Sequence, residues 1–176
     1  MTVLFSWLSM QIVHELGHII HSHASKAEVK KVILHPLKIS RTDVEPNSIM
    51  IVWGGAIWGV TIPLFAWMLS RFRQAKSDYL FAFFAGFCCI ANGAYFGSSL
   101  FYPVGDAHQL LKYNVPIWIP LVYGVTMLGC GFWLWHGLAK RFGLGKNADE
   151  ISTLHTLILS ALTFGIVVWE LFFFHG

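Results

Sequence analysis

The segment His14 to His23, HELGHIIHSH, gathers four histidines and one glutamate directly after the apolar run MTVLFSWLSMQIV. Within it, H-E-x-x-H on a helix puts His14 and His18 on one face a turn apart, where both imidazoles can bind one Zn²⁺ at about 2.0 to 2.1 Å. Glu15 lies beside that face, outside the coordination, and its carboxylate can take a proton from a water that the metal brings to a pKa near about 7. An ionisable group in a membrane helix costs at least about 2.5 kcal/mol, so a cluster of them in such a segment points to function. His21 shares the face, but it is about 10 Å along the axis from His14 at roughly 1.5 Å per residue, so one unbroken helix cannot give all three to one ion. His21 and His23 are read instead as interfacial groups that solvate the helix end. The longer metzincin pattern fails as well, because Ala24 stands where its third histidine would be. A third ligand must come from elsewhere in the chain.

The elements that must supply it are membrane helices. Of 176 residues, 56% are hydrophobic and 12% charged, whereas about 25% charged is usual for a soluble domain; mean hydropathy is +0.60. The composition is that of an integral, multi-pass membrane protein in contact with the lipid bilayer, and its length suits one membrane-embedded domain, residues 1–176, with no additional soluble domain. A net charge of +3 is too small to argue for nucleic acid. Five hydrophobic segments, about Val3 to Ile20, Ile49 to Leu69, Tyr79 to Phe101, Ile117 to Leu138 and Ile151 to Phe174, each approach the ~20 residues needed to cross hydrocarbon. The first lacks the basic start and A-x-A site of a signal peptide and is kept in the mature protein. Cys88, Cys89 and Cys130 sit in apolar runs and are read as packed thiols. The abundant Trp and Phe read as an interfacial belt and lipid-facing packing.

Alternation of the segments places the loops on two sides. His21 to Asn47 and Tyr102 to Pro116 fall on side X; Ser70 to Asp78 and Ala139 to Glu150 fall on side Y. Lysine and arginine number six on each, although the shorter Y loops are denser in charge, which favours Y as cytoplasmic. His14 and His18 lie near the X end of the first segment, so a distant ligand belongs near an X end. That disfavours His136 and His155 and leaves His35, Asp106, His108, Glu170 and His175. Asp106 and His108 are best placed, because Pro103 and Gly105 break the third segment just before them, and broken helix at membrane depth is tolerated where it lines a wet, protein-walled site. The bland alternatives are an N-cap for Asp106 and a solvated helix residue for His108. In the X loop, Val32 and Leu34 on one side of Pro36, with Leu37 and Ile39 on the other, read as one or two short strands broken at the proline, or equally as an irregular surface loop.

HELGH in the first segment, the small-residue stretch WGGAIWG in the second and GDAHQLLKYNVP after the third together resemble the site-2 protease family of intramembrane zinc metalloproteases. The likeness is to its short branch, in which Asp-Ala-x-x-Leu is followed by a proline, here Asp106, Ala107, Leu110 and Pro116. It covers Val3 to Trp118. The resemblance implies an all-α polytopic fold of about five transmembrane helices, with a three-helix catalytic core in residues 1–118 and two additional helices in 119–176. It implies zinc ligands His14, His18 and Asp106, Glu15 as catalytic base, and strands after the first helix lying near the active site. It also implies that X is cytoplasmic, and that reading is followed here over the charge density. The chain departs from the N-P-D-G arrangement of many relatives. Asn92 is distant, Pro103 is three residues upstream and Ala107 replaces the glycine, which counts against a substrate-binding role for Asn92.

The expected activity is hydrolysis of peptide bonds in or near the transmembrane segments of membrane-protein substrates, the chemistry of regulated intramembrane proteolysis. A substrate helix must be unwound and held extended first, and strands near Val32 to Ile39 could hold it by β-augmentation. His108 is a candidate auxiliary group for the oxyanion. Gly54, Gly55 and Gly59 are assigned to close packing of the first two helices. The rival reading is a non-hydrolytic membrane metal protein, a divalent-cation transporter or sensor, which would want ionisable groups through the depth of several helices. A protease-like scaffold that only binds membrane helices is disfavoured by the intact glutamate and histidines.

Overall fold

The computed structural model describes residues 1–98, 101–102, 105–145 and 148–173. Its elements in chain order are α1 (Thr2–Ala24), β1 (Glu28–Ile33), β2 (Arg41–Glu45), α2 (Ile49–Phe72), α3 (Asp78–Gly97), α4 (Gly105–Lys112), α5 (Trp118–Trp135), a 3₁₀ turn (Leu138–Phe142) and α6 (Thr153–Phe173). The helices α1, α2, α3, α5 and α6 are long and apolar enough to cross a membrane. They coincide within a few residues with the five segments read from hydropathy, except that the third stops at Gly97 rather than Phe101.

The helices approach closely because glycine faces glycine. A Cβ at Gly17 of α1 would run into the Gly54 carbonyl of α2, and one at Gly54 would run into the Gly17 carbonyl. The same device joins α3 to α5, where Gly93 faces the Gly124 carbonyl and Gly131 the Gly86 carbonyl. Apolar side chains gain little by meeting one another in lipid, so backbone proximity and dispersion must supply the association. Around these contacts, Val52, Ala56, Phe96 and Leu110 bury one apolar cluster, and Val60, Ala85, Cys89 and Leu134 another. The three cysteines are free thiols, as their apolar setting implied. α6 lies against α1 and exposes most of its remaining surface.

Between α1 and α2 the chain makes a two-stranded antiparallel hairpin with Val32 opposite Thr42 and Ile33 opposite Arg41. Of the two readings left open here, short strands or an irregular loop, the strands are observed, with different limits. Leu37 and Ile39 belong to the connection and are exposed, because His35 Nδ1 accepts the Leu37 N–H and Pro36 has no N–H to give a ladder. The second strand begins only at Arg41. The hairpin is also not a loop above the bundle. Trp7 Nε1 donates to the Pro36 carbonyl at 3.3 Å, and the Ser40 N–H donates to Gln11 Oε1 at 2.8 Å. Trp7 is about 25 Å of helix below Ala24 at roughly 1.5 Å per residue, so the hairpin runs back along the apolar length of α1.

The break after α3 is real on the described side of it. Gly105 opens α4 at φ +52°, and the Tyr95 hydroxyl occupies the space its Cβ would need, so only glycine fits there. Pro103, assigned to the same break, lies outside the described residues. Because the α1–α2 contact is backbone on backbone, Gly17→Val is expected to force the helices apart, lowering the thermal unfolding midpoint in detergent by the several degrees that about 1 to 3 kcal/mol of overpacking represents. A midpoint at the wild-type value would contradict the packing described.

Candidate metal centre

His14 and His18 project from α1 toward Asp106 in the first turn of α4. His14 Nε2 is 2.9 Å and His18 Nε2 3.4 Å from the same carboxylate oxygen, Asp106 Oδ2. One ligand atom from each residue lies within 4.8 Å of the others, and the group could hold a metal ion. The other X-side candidates do not join it. His35 is engaged in the hairpin connection. Glu170 is buried in α6 without a hydrogen-bond partner among the described residues. His175 lies outside the described residues. His21 is bonded to the Met50 carbonyl and His23 is exposed. On side Y, His155 pairs with the Tyr79 hydroxyl at 3.0 Å, and His136 caps α5.

The far nitrogen of each imidazole decides what the near one can do. His18 Nδ1 is 2.8 Å from the Ile51 carbonyl, a group that can only accept, so Nδ1 carries the proton. His14 Nδ1 is 3.0 Å from Asn92 Oδ1. The orientation of that amide is fixed because Asn92 Nδ2 donates to the Cys88 carbonyl at 2.9 Å. Both neutral rings therefore turn an Nε2 lone pair toward a carboxylate oxygen. Such a set repels itself unless a proton or a metal cation lies among the three atoms. Two imidazole nitrogens and a carboxylate oxygen are a donor set suited to zinc, and each histidine has the outer hydrogen bond typical of a metal ligand.

Asp106 is buried, which by itself would raise its carboxyl pKa. With a proton among the three atoms, the hydrogen bonds that His14 and His18 then make to the carboxylate outweigh burial and hold the group below the usual carboxylate range, as an anion. Its backbone N–H donates to Tyr95 Oη at 2.8 Å. The carboxylate thus faces the imidazoles across the bundle, which answers the alternative in which Asp106 merely caps its own helix. His108, two positions on, is exposed and is not among the residues that line the cavity, so the auxiliary role considered for it has no geometric support.

Glu15 is buried beside the cluster, with Oε1 accepting from Ser40 Oγ at 2.8 Å and Oε2 from Thr42 Oγ1 at 2.6 Å. A cavity of about 560 Å³ opens over it, bordered by Gln11, Glu15, Asn92, Tyr95 and Asp106 and by the run Ile39 to Val44. The glycines of α2 do more here than the helix packing assigned to them. A Cβ at Gly55 would strike Nε2 of both His14 and His18, and one at Gly59 would press on the Asn92 amide.

Sequence reasoning missed Ser40, Thr42 and Tyr95, and weighed Asn92 for substrate binding but not for its bond to His14. Asn92 carried a usable signal, a single carboxamide in an otherwise apolar helix, which demands a polar partner. No protein-family model, curated protein or solved structure matches this chain. The chemistry is accordingly carried by the geometry alone.

Metal titration of the purified protein is expected to separate these roles. Asp106→Ala should abolish tight binding, His108→Ala should leave it intact, and Asn92→Ala should weaken it by about 10- to 100-fold through the loss of the outer bond to His14. Wild-type affinity in Asn92→Ala would contradict the tautomer argument.

Proposed function

We propose that the protein is an intramembrane zinc metalloprotease of the site-2 protease type, integral to the membrane, that hydrolyses peptide bonds in or near transmembrane segments of its substrates. The observation that carries this reading is the placement of Glu15. It sits next to a three-ligand group on a helix apolar enough to cross a membrane, and its carboxylate is satisfied by hydroxyls rather than by the ligand set.

His14, His18 and Asp106 would hold the zinc, with Asn92 and the Ile51 carbonyl fixing the two rings. Bound there, the metal supplies Lewis acidity, polarising a peptide carbonyl and acidifying water. Glu15 then acts as general base. It accepts a proton as the water oxygen bonds to the carbonyl carbon, and returns it to the amide nitrogen as the C–N bond breaks. The cavity supplies room for an extended segment. All of Arg41 to Val44 borders it, and among the described residues β2 has one edge unpaired in its two-stranded sheet, so an unwound substrate backbone can be held by strand addition along β2. This replaces Val32 to Ile39 as the holding element. On this reading the cut falls toward the X side of the bundle, the side nearer His14 in α1.

A transporter or sensor would call for further polar ligand groups along a path. Among the described residues, His14, His18 and Asp106 form the one such group.

Two outcomes follow. Glu15→Gln is expected to retain about one zinc per chain while losing at least the ~10²-fold that a general base contributes; loss of metal, or full activity, would remove Glu15 from this role. Mass-spectrometric mapping on a single-span substrate should find the cut within or near the span on the X side. Cleavage confined to soluble loops or to the Y end would contradict the proposal.

A further inference from the structure

Glu15 occupies a demanding position: it is 3% exposed, in an apolar helix, and a buried carboxylate must be hydrogen-bonded or it is costly. Both of its partners come from one short piece of chain, the entry into β2. That piece is anchored independently of Glu15. The Ser40 N–H is held by Gln11 Oε1, one turn before Glu15 on α1, and Thr42 is held by its pairing with Val32 of β1. The hydroxyls are therefore presented to the carboxylate by a frame that would stand without it.

We infer that Ser40 and Thr42 are positioning residues for Glu15, an assignment that rests on reading Glu15 as the general base. Each carboxylate oxygen has two lone pairs, and one hydroxyl per oxygen fixes the plane of the group while leaving a second lone pair on each to accept a proton from water. Thr42 suits this task because its β-branched side chain has restricted χ1 freedom. Residues Ile39 to Val44 also border the cavity, so the strand beside the substrate space carries the partners of the base. A one-residue slip of β2 would turn Thr42 to the opposite face and bring Arg41 or Asp43 in its place. Correct seating of the hairpin and correct aim of the base are thus one condition.

The test uses the full chain, zinc-loaded, with Ser40→Ala, Thr42→Val, the double variant and Thr42→Ser. Zinc content and KM should stay at wild type. kcat should fall about tenfold in each single loss and about 100-fold in the double, within the range a misaimed general base forfeits, and Thr42→Ser should restore it. A second arm does not depend on turnover. In metal-free protein, coupling of glycine methyl ester to Glu15 by a carbodiimide, followed by peptide mass spectrometry, should be faster in the double variant by about fivefold or more, the factor one ordinary hydrogen bond represents. Unchanged labelling would overturn the inference, as would an unchanged or increased kcat, or a loss carried by KM or by zinc content. A wild-type enzyme that binds zinc and cleaves nothing would instead count against the protease reading, and the labelling arm would still decide whether the hydroxyls hold Glu15.

Discussion

The arrangement turns on one electrostatic constraint: two imidazoles that have committed their Nδ1 protons elsewhere face a single carboxylate with their remaining lone pairs. His18 Nδ1–H donates to the Ile51 carbonyl and His14 Nδ1–H to Asn92 Oδ1, and Asp106 completes the set as an anion. In a low-dielectric interior this convergence requires positive charge among the three atoms. A metal with a preference for nitrogen and oxygen donors meets that requirement and gains a pre-oriented site, because the outer hydrogen bonds already fix ring tautomer and direction.

Much of the surrounding fold can be understood as making room for that convergence. Gly17 and Gly54 bring α1 and α2 to backbone contact, and Gly55 leaves the space that the two Nε2 atoms occupy. Gly105, with its positive φ, lets α4 start against the Tyr95 hydroxyl, which receives the Asp106 N–H. The hairpin completes the wall on the remaining side. It folds back along α1, and its contacts with Trp7, Gln11 and Glu15 carry polar backbone to a depth where only protein or trapped water can satisfy it.

The helices and the candidate pair His14 and His18 were legible because their signals are local. Hydropathy runs mark spans, and the four-residue spacing of His14 and His18 fixes a shared helix face whatever the tertiary structure. Parity and the break before it left Asp106 beside His108 among the X-side candidates, since parity confines a residue to one side of the bundle but not to a point, and only the family resemblance separated the two. Asn92 was weighed only for substrate binding, against a family arrangement along the sequence, whereas its bond to His14 spans two helices and depends on the crossing of α1 and α3. Ser40 and Thr42 were invisible for a related reason. Their alternation reads as that of any short strand, and only the return of the hairpin along α1 brings them to Glu15. Leu37 and Ile39, with the apolar alternation that does signal a strand, instead fill the connection around Pro36.

Whether His14, His18 and Asp106 form a metal centre can be measured by X-ray absorption at the zinc edge of the purified, zinc-loaded protein. The expected result is a first shell of nitrogen and oxygen at about 2.0 to 2.2 Å, with the multiple-scattering pattern of two imidazoles. A shell dominated by sulfur at about 2.3 Å, drawn from Cys88, Cys89 and Cys130, or the absence of stoichiometric zinc, would contradict it.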